Sequence, residues 1–258
     1  MSGGPKLKPL ALPADVVFCY DGSLAGFYCC VHACVYSRAL PFAIYPQDEP
    51  QFTLMERRHI ETDPEKARRV RQSVAEKIAP RAVELVENIF LSCLENRELA
   101  MLRFLLLGYR EGARAVGMLG HPDVDLLIKA EKHLLDECHL LLGFVRFSDY
   151  GGKLMSVISP KNFVLPRLAR HFIARFPQEE FLIYDKTHGA ALVYRDHAAE
   201  IIPAEHFALP RADETEESFR ALWRQFYHTI SIEERYNPKC RMTHCAKRYW
   251  ENMTEMAD

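Results

Sequence analysis

Residues 62–142 carry helical periodicity almost without interruption, so any fold of this chain must set aside a helical layer for them. The layer opens at "ETDPEKARRV", where Asp63 is placed to cap and Pro64 occupies the first turn. Four segments follow: "PEKARRVRQSVAEKIA", "PRAVELVENIFLSCLEN", "RELAMLRFLLLGYREGARAVGML" and "PDVDLLIKAEKHLLDECHLLLG". Pro80, Asn96 and "GHP" at 120–122 separate them. The third is apolar over most of its circumference and belongs at the centre of the layer, with Gly108 and Gly112 permitting close approach.

The flanking sequence has a different rhythm. "DVVFCYDG" (15–22) reads as a buried strand turning at Asp21-Gly22, followed by a helix that Ser23 can cap. "FAIY" and the stretch near "MERRHIE" are further strand candidates. After residue 142, "FVRFSDYGGKLMSVISP" reads as a hairpin about Gly151-Gly152, and "NFVLPRLARHFIARFP" as a helix. "EEFLIYDKTHGAALVYRD" is a second hairpin near His188-Gly189. "SFRALWRQFYHTISI" is an amphipathic helix with Phe219, Leu222, Trp223, Phe226 and Ile230 on one face, and a short helix follows near the C-terminus. Helices and strands are partly segregated rather than strictly alternating, which favours an α+β fold over a doubly wound sheet: a single domain over 1–258, its helical layer packed on a mostly antiparallel sheet. Residues 1–14 are expected to form a flexible leader, 62–142 the helical region and 143–258 the hairpin and helix region.

At 258 residues and 48% hydrophobic, the chain can bury a large core. A net charge of -2 argues against a histone-like electrostatic binder, and leaves only a local basic patch as a route to nucleic acid. The N-terminal "MSGGPKLKPLALP" lacks an apolar signal core or membrane span, and the eight cysteines are scattered. The expectation is a cytoplasmic protein with reduced thiols and no membrane partner.

"KCRMTHC" (239–245) gathers Cys240, His244 and Cys245, but these are at most three ligands at an unusual spacing, so no metal and no cofactor is expected. Phosphate-binding, dinucleotide, serine-hydrolase and zinc-deaminase signatures are all absent. The helix at 164–176 is more informative. Val164, Leu165, Leu168, Phe172 and Phe176 share one side; Arg167, Arg170, His171 and Arg175 share the other, which carries no acid. Lys161 precedes it. Such a face suits phosphate contacts, or is an ordinary solvated surface. On the helix ending in "DECHLLLG", Val124, Leu127, Ile128, Leu135 and Cys138 form an apolar stripe with Glu131 near its centre, and Glu137 and His139 lie at opposite margins. A carboxylate on a buried face needs a partner, such as Arg103 or Arg114, or a raised pKa. Asp185, Lys186 and His188 fall in a hairpin turn, where polar residues are expected.

Read in order, "YDGSLAGF", "TDPEKARRV", "DECHLLLGFVRF", "ISPKNFVLPRLARHFIARFP", "FLIYDKTHGAA" and "ERYNPKCRMTHCAKRYWENMTE" resemble the bacterial "probable DNA metabolism protein" family, built on the domain of unknown function numbered 4130. The resemblance implies a role around DNA repair, alongside a radical SAM companion protein. It brings a set of pattern positions and no catalytic roles: Tyr20, Asp21, Gly22, Glu137, His139, Arg146, His171, Phe172, Asp185, Arg235, Asn237, Pro238, Arg248 and Tyr249. The chain departs from the family pattern at Leu140, where a basic residue is usual, and at "CAKRYW", where a proline pair usually precedes the Arg-Tyr.

The leading expectation is a DNA-repair accessory protein that binds nucleic acid or its radical SAM partner. The contact residues would be Lys161, Arg167, Arg170, His171 and Arg175, with a basic tail of Arg235, Asn237, Lys239, Arg241, Lys247 and Arg248. Tyr236, Tyr249 and Trp250 are interleaved with those cations, either as stacking platforms or as core anchors. The alternative is an enzyme acting on DNA or a nucleotide through Glu137, His139, His171 and Asp185, which must then converge in one pocket. The third reading is a scaffold for a repair partner that makes no DNA contact.

Overall fold

The computed structural model describes residues 11–47, 54–205, 207, 210, 212–230, 232–235 and 237–256. Helices and sheets are both present in the α+β manner expected. The chain divides between Leu134 and Leu135 into two compact units, each with its own sheet.

In the first unit, β1 (Leu12–Tyr20) is the middle strand of three, flanked by β2 (Ala39–Pro46) and β3 (Glu56–His59), and both pairings are parallel. A parallel neighbour needs a crossover, and α1 (Leu24–Ser37) supplies it between β1 and β2. The chain leaves β1 through Gly22, at φ 78°, and Ser23 then caps α1 by accepting from the Gly26 amide at 2.9 Å. Gly26 lets the helix start lie directly on the strand end, because a Cβ there would sit 2.2 Å from Asp21 Oδ1 and 2.8 Å from Tyr20 Cδ2.

The helical region is built as its punctuation predicts. Asp63 caps α2 (Pro64–Lys77) by accepting from the Glu65 and Lys66 amides, and α3 (Pro80–Phe90) and α4 (Arg97–Glu111) follow. Met101, Leu102, Phe104 and Leu105 of α4 are fully buried, which places that helix at the core of the layer. Gly108 makes the expected close approach, to Ile78. Gly112 does not: it ends α4 with a φ of 63° and opens a 3-10 turn over Gly112–Gly117. The last helix of the layer, α5 (Pro122–Phe144), runs across the unit boundary. Its buried face carries Val124, Leu127, Leu134 and Cys138, with Leu134 rather than Leu135 on the apolar side. Glu131 is buried as expected, but its partner is Arg81 of α3, which takes both carboxylate oxygens, together with Asn88 Nδ2 at 2.7 Å.

The second unit holds a five-stranded sheet in the order β4 (Ser148–Asp149), β5 (Lys153–Ile158), β6 (Glu180–Asp185), β7 (Ala190–Arg195), β8 (Ala198–Pro203). Three of its pairings are antiparallel, whereas β5 and β6 run parallel because α6 (Leu165–Arg175) connects them as a crossover. The strands are thus divided between a parallel and a mixed sheet rather than forming one. Strand β8 has no counterpart in the sequence reading: it is an outer strand with no buried face, and its turn uses left-handed Asp196 and His197 rather than glycine. β1 also begins at Leu12, inside the stretch expected to be leader.

Two helices follow, α7 (Glu214–Thr229) and α8 (Pro238–His244), with 3-10 turns at Glu233–Arg235 and Lys247–Asn252. The apolar face that periodicity gives α7 is exposed. Phe219 is 63% and Phe226 52% exposed, and Leu222, Trp223 and Ile230 are exposed as well.

Candidate functional site

The densest polar construction in the second unit is centred on Glu137. It projects from α5 toward the segment after β5, and its side chain is almost wholly enclosed. Its carboxylate accepts from the Lys161 amide (3.1 Å to each oxygen), the Asn162 amide (2.8 Å) and Asn162 Nδ2 (2.6 Å). From the C-terminal 3-10 turn, Arg248 Nη2 (3.1 Å) and the Tyr249 hydroxyl (3.0 Å) donate as well. Burial alone would raise the Glu137 pKa, but the donors outweigh it and hold the carboxyl below the usual range. Tyr249 shows the reverse effect, its hydroxyl pushed up to about 12 by burial and by the adjacent Glu137 charge. Glu137 therefore stays ionised near neutrality and has no proton to give. Its direct effect is to fasten α5, the loop after β5 and the C-terminal turn together.

The same loop leads to a second cluster. Parallel strands β5 and β6 end side by side, with Ile158 opposite Asp185, and the Lys186 amide donates to Ile158 O at 3.0 Å. Asp185 is fully buried and accepts from the Thr187 amide (3.0 Å), the His188 amide (3.1 Å) and His188 Nδ1 (2.6 Å). The Phe163 ring packs edge-on against His188 at 5.4 Å. This is an Asp-His pair at the carboxyl ends of two parallel strands, the edge of an α/β arrangement at which ligands commonly bind. The sequence signal for it was the Asp185/His188 spacing in a turn, which is equally the signal of an ordinary capped turn.

The four candidate catalytic residues are thus in different surroundings. Glu137 is saturated, His139 is exposed, and Asp185 pairs with His188. Nε2 of His171 is buried without a hydrogen-bond partner among the described residues, while its ring packs edge-on against Phe172. No hydrogen bond or ion pair joins any two of the four among the described residues.

The arginine face of α6 is as the periodicity predicts. Val164, Leu165, Leu168 and Phe172 are buried, and Arg167, Arg170 and Arg175 are exposed, as is Lys161 ahead of the helix. Only His171, half-buried, departs from that face.

The basic tail is more committed to structure. Asn237 caps α8, accepting from the Cys240 amide at 3.0 Å. Arg248 lies over the Tyr249 ring at 4.5 Å, and Arg241 over Trp250 at 4.6 Å. Tyr249 is buried and Trp250 Nε1 donates to Cys245 O at 2.9 Å, so both aromatics anchor the tail. Arg235, Lys239 and Lys247 are exposed, and Tyr236 lies outside the described residues. The thiols of "KCRMTHC" part company: Cys240 is exposed, while Cys245 is buried with its thiol 3.6 Å from Met253 Sδ. Among the described residues no three His, Cys, Asp or Glu side chains are grouped to hold a metal ion, and no helix is long and apolar enough to cross a membrane.

Of the other pattern positions, Tyr20 donates its hydroxyl to Glu98 at 3.0 Å, and Asp21 accepts from the Ser23 amide and hydroxyl at the end of β1. Arg146 is paired with Glu255 at 2.7 Å, and Trp223 Nε1 donates to the same carboxylate at 2.9 Å.

An α+β chain whose mixed-sheet unit is tied together by a buried, donor-saturated glutamate is the class these features define. Residues 95–255 match the family model described as a domain of unknown function, DUF4130, and the chain belongs to that family. No curated protein and no solved structure matches it.

Proposed function

We propose that the protein is a nucleic-acid-binding accessory factor of DNA metabolism, and that α6 is its contact with the phosphate backbone. The observation that carries this reading is the division of α6: one side is locked into the core by Leu165, Leu168 and Phe172, and the other presents Arg167, Arg170 and Arg175 to solvent with no acid on the helix. A rigidly seated row of guanidinium groups suits phosphate oxygens, and each phosphate neutralised releases counterions. Lys161 and the exposed tail cations would extend the contact. A radical SAM companion, implied by the family resemblance, would engage the same basic surface.

The test is fluorescence-anisotropy titration of single- and double-stranded DNA across a salt series. Wild type should bind both with salt-dependent affinity, and Arg170→Glu with Arg175→Glu should flatten the logarithmic slope on duplex by about two. Absence of salt-sensitive binding to either form, together with unchanged companion binding by the variants, refutes the reading.

A second reading rests on the Asp185–His188 pair. A carboxylate that fixes one imidazole nitrogen leaves the other to act as acid or base, as hydrolysis of a phosphoester or glycosidic bond in a nucleotide would need. Hydrolysis of a labelled oligonucleotide or nucleotide that His188→Gln abolishes would favour it. Turnover unaffected by that change would remove it.

A further inference from the structure

The first unit contains an open cavity of about 420 Å³ built from α1, α2 and α4, largely outside the matched domain. That volume lies toward the small end of the ~300–1,000 Å³ typical of small-molecule sites. Its floor is apolar: Val31 and Val35 from α1, Val70 from α2, and the Tyr109 ring from α4. One rim belongs to α1, where His32 and Tyr36, one turn apart, are stacked with centroids 4.1 Å apart and planes 21° from parallel. Tyr36 is 79% exposed, so the ring face turned away from His32 is open. The opposite rim belongs to α2 and carries Lys66, Arg69 and Lys77.

Among the described residues no carboxylate lines the cavity. Lys66 is shared with Asp63, 3.2 Å away at the start of α2, whereas Arg69 and Lys77 form no ion pair among the described residues. His32 feels this field: its partial burial, and then Lys66 and Arg69, lower its pKa, so near neutrality its ring is an uncharged stacking surface.

An apolar floor, an open aromatic face and a row of cations facing it are complementary to one ligand chemistry, a flat heteroaromatic ring carrying a phosphate. We infer that the α1–α2 cavity binds a nucleoside monophosphate moiety, with the base stacked on Tyr36 above the valine floor and the phosphate held by Arg69 and Lys77. The moiety can come from a free mononucleotide or from the 5′-phosphorylated end of a single strand. This inference does not depend on α6 contacting DNA, since the two sets of residues belong to different units.

The test uses the full chain and isothermal titration with dAMP, deoxyadenosine, inorganic phosphate, and a short oligothymidylate with and without a 5′-phosphate. Binding of dAMP well above both phosphate and deoxyadenosine is expected. A free-nucleotide site would prefer dAMP to the phosphorylated strand, and a strand-end site the reverse, with loss of affinity when the 5′-phosphate is removed. Tyr36→Ala should weaken binding at least fivefold, the lower end of what one stacking platform contributes, and Arg69→Glu with Lys77→Glu at least about tenfold. All three side chains are exposed, so circular dichroism should show unchanged folding. Arg170→Glu with Arg175→Glu should leave dAMP binding unaltered. Phosphate binding as tight as dAMP, no binding of any probe, or variants equal to wild type would each overturn the inference.

Discussion

Removing the acceptor at Glu137 should cost the second unit a large part of its stability. In Glu137→Ala the amides of Lys161 and Asn162, Asn162 Nδ2, the Arg248 guanidinium and the Tyr249 hydroxyl all lose a buried carboxylate. Deleting one member of a buried charged pair costs about 3–5 kcal/mol, because the remaining partner is left uncompensated. Glu137→Gln keeps the shape but turns an NH2 group toward donors, so roughly 2–3 kcal/mol is expected, the worth of one or two hydrogen bonds to a charged group. At about 2–4 °C per kcal/mol for a chain of this size class, Glu137→Ala should lower Tm by about 6–20 °C. The pH dependence has a definite sign. The folded pKa lies below the unfolded value of about 4.5, so the stabilisation is complete above that value and is lost as pH falls through the folded pKa. Urea unfolding followed by circular dichroism should give a gap between wild type and Glu137→Gln that is constant from pH 5 to 8 and closes on further acidification. A gap under about 0.5 kcal/mol at pH 7, or one that persists undiminished into acid, refutes the assignment of Glu137 as an ionised structural acceptor.

Three further outcomes follow from the packing. Gly26→Ala should destabilise by about 1–3 kcal/mol in thermal unfolding, because the added Cβ meets Asp21 Oδ1, Thr62 Oγ1 and Tyr20 Cδ2 inside 3 Å. Arg81→Ala should cost roughly 3–5 kcal/mol by leaving the buried Glu131 without a counter-charge, held only by Asn88, and adding Glu131→Leu should recover most of that loss in a double-mutant cycle. Phe219→Asp and Phe226→Asp, on the uncovered face of α7, should each shift the chemical-denaturation midpoint by no more than about 0.5 kcal/mol equivalent.

Signals confined to a few residues were legible in the sequence. Ser23 and Asp63 cap their helices through amides two or three positions away, and the two sides of α6 follow from 3.6-residue periodicity alone. Pairings set by the tertiary fold were not. Glu131 meets an arginine 50 positions away rather than either of the nearer candidates on α4 and its following turn, and Glu137 collects donors up to 112 positions distant. Apolar patterning reports which face of a helix is buried on average. On α7 it reported an apolar face correctly, and that face is exposed, since periodicity contains no information about whether a covering element exists.

The C-terminal segment shows how such long-range pairing redistributes functional weight. Its cations and aromatics alternate as a strand-binding surface would, but Tyr249 is buried and Arg248 is divided between the Glu137 carboxylate and the Tyr249 ring. A guanidinium already holding a buried carboxylate has little counterion to release when a phosphate arrives, so it adds little to a salt-dependent affinity. Arg170 and Arg175, exposed on a helix without acids, keep that capacity. On this reasoning Arg248→Gln should chiefly lower stability, whereas Arg170→Glu should chiefly change the salt slope of DNA binding. Measuring both quantities on both variants separates the anchoring role of the tail from the recognition role of the helix.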